Sequence, residues 1–142
     1  MRESIIASAD AVSRFCRLQM NMKKDIPIRS SEMGVLIYVE KSDVPVTPLM
    51  ISNFFGISKP SVTDMVNALL KNNYLSKTPS QTDKRSYSLS VTQKGHELVE
   101  STYSEYFRTM ELLEEKMGSH EFELFIQLIG KANRVLSEER ER

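Results

Sequence analysis

The chain has 142 residues, with 19 basic and 19 acidic side chains balancing to zero net charge and 40% apolar against 27% charged residues. This is an ordinary globular mix at the length of one domain, which argues against a disordered chain and against a protein that coats nucleic acid by bulk charge. The single cysteine, Cys16, excludes an internal disulfide and a multi-cysteine metal site. No apolar stretch approaches a membrane span, and Arg2, Glu3 and Asp10 interrupt any secretory core at the N-terminus, so a soluble cytoplasmic protein is expected.

The zero total hides an uneven distribution. Residues 1–56 carry net +1, residues 57–95 net +4 and residues 96–142 net −5. The middle of the chain is the positive pole and the Glu-rich end is the negative one.

From the N-terminus, Ile5, Ala9, Val12, Cys16 and Met20 recur at helical steps and predict a first helix over about residues 3–23. The Lys23-Lys24 pair suits its C-terminus, and Pro27 follows. A second helix is expected from Ser30 or Ser31 to about residue 41. Its run of Met33, Val35, Leu36, Ile37 and Val39 is β-branched enough to leave a strand open as the alternative.

Thr47-Pro48 opens a short third helix that Gly56 ends near Phe55. Ser58 and Pro60 open a fourth, whose apolar face is Val62, Met65, Val66, Leu69 and Leu70. Two helices joined by so short a glycine-containing turn make a helix-turn-helix. After Asn72-Asn73 the period changes to two: Tyr87, Leu89 and Val91 alternate with serines, and residues 74–78 are the expected partner strand. Residues 79–83 supply the turn.

Thr92 caps a fifth helix with an apolar seam of Val99, Tyr103, Tyr106, Met110, Leu113 and Met117. Gly118-Ser119 breaks it. A last amphipathic helix carries Phe122, Phe125, Ile126, Ile129, Ala132 and Leu136. The expected fold is mainly α with a small β-hairpin: one domain, with a winged helix-turn-helix over 29–95 flanked by helices over 1–28 and 96–142.

A helix-turn-helix followed by a basic hairpin points to duplex DNA. In such readers the second helix lies in the major groove, its N-terminal residues at base edges. Ser58, Lys59, Pro60, Ser61, Thr63, Asp64 and Asn67 occupy the start and outward face of that helix. At the hairpin tip, Asp83-Lys84-Arg85 places an arginine where it can enter a narrow minor groove, with Asp83 expected to hold the guanidinium. Lys77 and Lys84 would add salt-sensitive phosphate contacts. The bland reading of both features is a solvated helix face and a charged turn.

The run Met50-Ile51-Ser52, then Gly56 to Thr63, then Tyr74-Leu75, Asp83-Lys84-Arg85 and Leu89 through Thr92 to Gly95, resembles the MarR family of winged-helix regulators. The D-x-R wing followed by L-x-x-T-x-x-G is its most specific part, and the layout of the whole chain agrees. The resemblance implies a homodimer with intertwined terminal helices on a pseudo-palindromic operator, Ser58 to Asp64 reading bases and Arg85 in the minor groove. It also implies, for many members, release by a small aromatic or lipophilic ligand. The chain departs from the family pattern at Asn73, which replaces a usual Gly, and at Asp64, which either accepts from a cytosine amino group or repels phosphate.

Ile5, Val12, Tyr103, Met110, Phe122, Phe125 and Leu136 are more apolar surface than a small winged helix covers alone, which favours a dimer. Met20, Met22, Met33 and Met110 either line an adaptable ligand pocket or fill core. Cys16 lies in the apolar stripe of the first helix, where an inert buried thiol is expected over a redox sensor. His96 and His120 have no metal-ligand spacing, and neither a phosphate loop nor a nucleophile motif occurs, so no enzyme, metal or cofactor is expected. A winged-helix adaptor that contacts protein instead of DNA is the competing function.

Overall fold

The computed structural model describes residues 1–22, 26–83 and 85–141. Among these residues the order of elements is α1 (Glu3–Asn21), α2 (Ser30–Lys41), α3 (Pro48–Phe55), α4 (Lys59–Lys71), β1 (Leu75–Pro79), β2 (Tyr87–Val91), α5 (Gln93–Met117) and α6 (Ser119–Glu141). The Lys23-Lys24 pair assigned to the end of the first helix lies outside the described residues. Contacts divide the chain into a unit of Ile26–Tyr103 and a unit joining Met1–Asp25 to Ser104–Arg142, so α5 contributes to both. No helix among the described residues is long and apolar enough to cross a membrane.

The first of these units is the winged helix. Its second helix is a helix despite the β-branched run because burial decides the matter. Met33, Val35, Leu36, Ile37 and Val39 are all buried, and α2 packs on both α4 and β2. Its start is fixed by Glu32, which accepts from the Arg29 backbone N–H at 3.1 Å and from the Arg29 guanidinium at 2.9 Å. The same carboxylate holds that guanidinium above its ordinary pKa, with a smaller contribution from Asp64 on α4. Val46, Ile51, Val62, Val66, Leu69, Leu75, Leu89, Leu98 and Val99 complete this core. Each fully buried aliphatic side chain stabilises by about 1.5–3 kcal/mol relative to exposure, as an upper bound.

The hairpin is antiparallel, with Leu75 opposite Val91 and Pro79 opposite Tyr87. The strand begins one residue later than expected because the backbone of Tyr74 is already engaged. Its N–H donates to Leu69 O at 2.9 Å, and its carbonyl accepts from the Thr92 N–H at 3.1 Å. On the other side of the hairpin, the Leu89 N–H donates to Val46 O at 2.7 Å, fastening β2 to the segment before α3.

A knot of side-chain bonds joins the end of α4 to the start of α5. Asn73 turns the chain with φ 63°, the left-handed conformation its short amide tolerates. The Thr92 hydroxyl donates to Asn73 O at 2.6 Å and accepts the Gly95 N–H at 3.0 Å, capping α5. Lys94 reaches back to Asn72 O at 2.7 Å and lies 4.5 Å from the centre of the Tyr74 ring. Gly95 permits this closeness: a Cβ there would press on the Tyr74 carbonyl and lie 2.8 Å from Val91 Cγ1.

The other unit combines α1, the second half of α5 and α6. Phe15 of α1 meets Phe125 of α6 edge to face, with centroids 5.5 Å apart. Gly118, at φ 90°, ends α5, and its carbonyl accepts the Phe122 N–H at 3.0 Å as α6 begins. Much of the apolar surface here is uncovered. α1 has no buried residue, and Val12 and Leu136 are 63% and 69% exposed.

Candidate nucleic-acid interface

The turn between α3 and α4 follows from three residues. Gly56 adopts φ 65°, which a side chain would disfavour, and its N–H returns to Ser52 O. The Ser52 hydroxyl donates to Ile57 O at 2.7 Å, so the turn is tied from within. Ser58 then caps α4, accepting from the Ser61 N–H at 3.3 Å and donating to the Ser61 hydroxyl at 2.9 Å. Val62, Val66 and Leu69 face the core, which leaves Lys59, Pro60, Thr63, Asp64 and Asn67 on the exposed face.

These outward residues are not equivalent. Ser58 serves the helix cap, and the Thr63 hydroxyl donates to Lys59 O at 3.0 Å. Lys59, Asp64 and Asn67 are exposed. Asp64 also acts on the Arg29 guanidinium at the start of α2, a relation across 35 positions that no local pattern in the sequence signals.

At the wing tip the Ser80 N–H donates to Ser86 O at 3.0 Å, and the Ser80 hydroxyl accepts the Thr82 and Asp83 N–H groups, each at 3.3 Å. The expectation that Asp83 clamps the Arg85 guanidinium is corrected here. Its Oδ1 accepts the Arg85 backbone N–H at 2.9 Å and its Oδ2 accepts the Ser86 hydroxyl at 3.2 Å. A carboxylate two residues before a turn amide is well placed for such an Asx turn. Asp83 therefore shapes the tip, while the Arg85 side chain extends from it exposed. Lys77 lies 4.9 Å from the centre of the Tyr87 ring. Lys84 lies outside the described residues.

Helix and wing meet around one concavity. Pro48 and Leu49 of α3, Lys59, Val62 and Thr63 of α4, and Arg85 and Tyr87 of the wing line a cavity of about 310 Å³. It brings Lys59 and Thr63 of α4 together with Arg85 of the wing, so two cations line it beside apolar side chains. Pro48, Leu49 and Tyr87 were not singled out as site residues from the sequence. Their signals there, a helix start and a strand alternation, were purely structural.

The remaining predicted residues fall elsewhere. Phe122 and Phe125 are half-buried in the unit of α1 and α6, while Ile5, Val12 and Leu136 are exposed. Tyr103 belongs to the winged-helix unit, where the Lys41 ammonium lies 5.4 Å from its ring centre. Met33 is core, completely buried with the Thr102 hydroxyl 3.7 Å from its sulfur. Met20 is exposed, Met22 is half-buried, and Met110 lines a cleft of about 490 Å³ at the α5–α6 elbow with Phe107 and Phe122. The expectation of a buried Cys16 is corrected: within the chain Cys16 is exposed, and none of the described residues buries any residue of α1. Among the described residues no group of three His, Cys, Asp or Glu side chains is arranged to hold a metal ion.

Residues 27–87, which run from before α2 to the start of β2, match the sequence model of the MarR family. The winged-helix part of the chain is similar to the MarR family. Solved structures agree along nearly its whole length. A MarR protein from Peptoclostridium difficile superposes with TM-score 0.80 at 21% identity, covering 98% of this chain and 91% of that one. A mutant MarR from E. coli complexed with operator DNA gives TM-score 0.80 at 16% identity, over 91% and 95% of the two chains. BpsR of Bordetella bronchiseptica, described for regulation of its DNA binding by 6-hydroxynicotinic acid, gives 0.79 at 14% identity, over 89% and 98%. At these identities the likeness to the solved structures is one of fold. No curated protein sequence matches this chain significantly.

Proposed function

We propose that this protein is a MarR-family homodimeric transcriptional regulator, acting as a repressor, that binds a pseudo-palindromic operator in double-stranded DNA. The observation that carries the reading is the shared concavity of α4 and the wing, with Lys59 and Arg85 from two elements beside one exposed helix face. That geometry suits a helix in the major groove and an arginine in the adjacent minor groove. Ser58, Ser61, Thr63, Asp64 and Asn67 are the candidates at base edges, with Lys59, Lys77, Lys84 and Arg85 on the backbone and minor groove. Asp83 acts indirectly, by setting the backbone from which Arg85 extends.

The homodimer rests on the apolar surface of α1 and α6. Val12, Leu128, Leu136 and their neighbours are too exposed for a monomer to leave in water without consequence. A twofold dimer would bury the stripe of α1, Cys16 included, and would present two α4 helices to two half-sites. A small lipophilic effector is part of the proposal. The elbow cleft beside Met110 has the volume of a small-molecule site, and the DNA binding of the B. bronchiseptica neighbour is described as regulated by a small molecule, though a polar aromatic acid. The proposed location is the cytoplasm, where such regulators meet DNA.

One feature favours the adaptor reading. Tyr38, Phe54 and Phe55 pack against one another, mostly edge to face, with centroids 4.6 to 5.9 Å apart, and Phe54 is 66% exposed. Replacing Arg85 by Ala separates the two readings. An operator recovered from fragmented genomic DNA should bind the variant more weakly by about 1–3 kcal/mol, roughly 5- to 150-fold. If no fragment is enriched at low salt, or Arg85→Ala binds the operator as tightly as wild type, the DNA reading is wrong. A monomer by light scattering at micromolar concentration would refute the homodimer.

A further inference from the structure

We propose that His96, Glu40 and Glu100 form a proton-operated clasp that fastens the first turns of α5 to α2 within the winged-helix unit. His96 is the fourth residue of α5, directly after the close-packed Gly95. Its Nδ1 meets the Glu40 carboxylate, which comes from α2, 56 positions away in sequence. Its Nε2 lies 3.1 Å from Glu100 Oε1, one turn further along α5. Both ring nitrogens therefore face acceptors.

A neutral imidazole carries one N–H, so it donates to one carboxylate and turns a lone pair toward the other. The imidazolium carries two and satisfies both. Protonation thus completes the clasp, and deprotonation undoes one of its two bonds. Glu40 from α2 and Glu100 from α5 are the charged groups that act on the ring, and both are carboxylates. The neighbouring lysines are directed elsewhere. Lys41 lies over the Tyr103 ring, and Lys94 donates to Asn72 O while lying over Tyr74.

The hydrogen bond to Glu40, then the charges of Glu100 and Glu40, raise the imidazole above its ordinary 6.5. A raised folded-state value means that the stabilising contribution is complete below 6.5 and is lost as pH rises through the folded value. The ring is partly exposed, so solvent screens each pair and the clasp acts as a modest bias. Its position gives that bias reach. α2 is the helix against which α4 and β2 pack, so a proton taken up at His96 tightens the platform beneath both elements of the candidate interface.

The test is an NMR titration of the His96 imidazole in the intact wild-type chain, with thermal unfolding of wild type, His96→Gln and Glu40→Gln from about pH 5 to about pH 9. His96 should titrate above 6.5, and Glu40→Gln should lower that value. The melting temperature of wild type should exceed that of His96→Gln on the acid side, and the gap should close as pH rises. A gap that does not change with pH would overturn the proposal. So would a His96 titration at or below 6.5 in the wild-type chain, a readout that needs no variant to fold.

Discussion

Replacing Gly95 by Ala tests how closely α5 sits on the hairpin. In an ordinary helix that change stabilises, because alanine is preferred over glycine by about 1 kcal/mol. At Gly95 the new methyl presses on the Tyr74 carbonyl and lies 2.8 Å from Val91 Cγ1. The Val91 side chain can rotate, but the carbonyl is held by the Thr92 N–H at 3.1 Å and the Thr92 hydroxyl at 3.2 Å. The strain must move backbone, and overpacking of that kind costs about 1–3 kcal/mol. If α5 retreats instead, the Thr92 cap is lost, at about 0.5–2 kcal/mol. With the propensity gain set against these, Gly95→Ala should lose that gain and destabilise by up to about 2 kcal/mol, a fall of up to several degrees in melting temperature. Urea unfolding followed by far-ultraviolet circular dichroism measures it. Gly130→Ala is the matched comparison: its methyl would meet only the Arg134 guanidinium at 3.6 Å, so it should stabilise by about 0.5–1 kcal/mol. A Gly95→Ala protein stabilised as much as Gly130→Ala would refute the close-approach argument.

At Asn73, substitution by Ala should cost about 1–2 kcal/mol, because φ 63° suits asparagine and glycine, whereas Asn73→Gly should be near neutral in the same unfolding assay. Leu69, 1% exposed at the centre of the α4 face, should cost about 2–5 kcal/mol as Ala, read as a lower urea midpoint with an unchanged slope. Lys59→Ala should weaken operator binding about equally across sequences and reduce the salt slope by about 1 per bound subunit, as loss of a phosphate contact does. An unchanged slope would remove Lys59 from the DNA backbone.

The elements were legible where local chemistry determines them. Thr47, Ser58 and Thr92 act as the N-caps their sequence context indicated, and Gly56 and Gly118 end helices with positive φ. The ambiguity of Met33 to Val39 was resolved by burial on all sides, which a period cannot encode. At the candidate interface, the outward residues of α4 followed from the apolar face opposite them. What the sequence concealed was proximity between distant positions of the chain: Tyr87 beside Lys59 and Arg85, Asp64 acting on Arg29, and Glu40 meeting His96. Asp83 was misassigned because a carboxylate beside an arginine reads as an ion pair, while the turn offered it a nearer backbone donor. Cys16 was misassigned because an apolar stripe says that a face wants cover, not which molecule supplies it.

The outer edge of the hairpin carries one further consequence. β2 is fastened on its far side through Leu89 and Val46, but Ser76 to Pro79 of β1 are exposed. A row of unsatisfied backbone groups on such a ribbon invites strands of other molecules to add to it. Lys77 sets a charge in the middle of that row and Pro79 removes a donor at its end, so further extension of the sheet is opposed from both. The finger that carries Arg85 can thus stay thin enough for a groove while remaining a poor seed for aggregation.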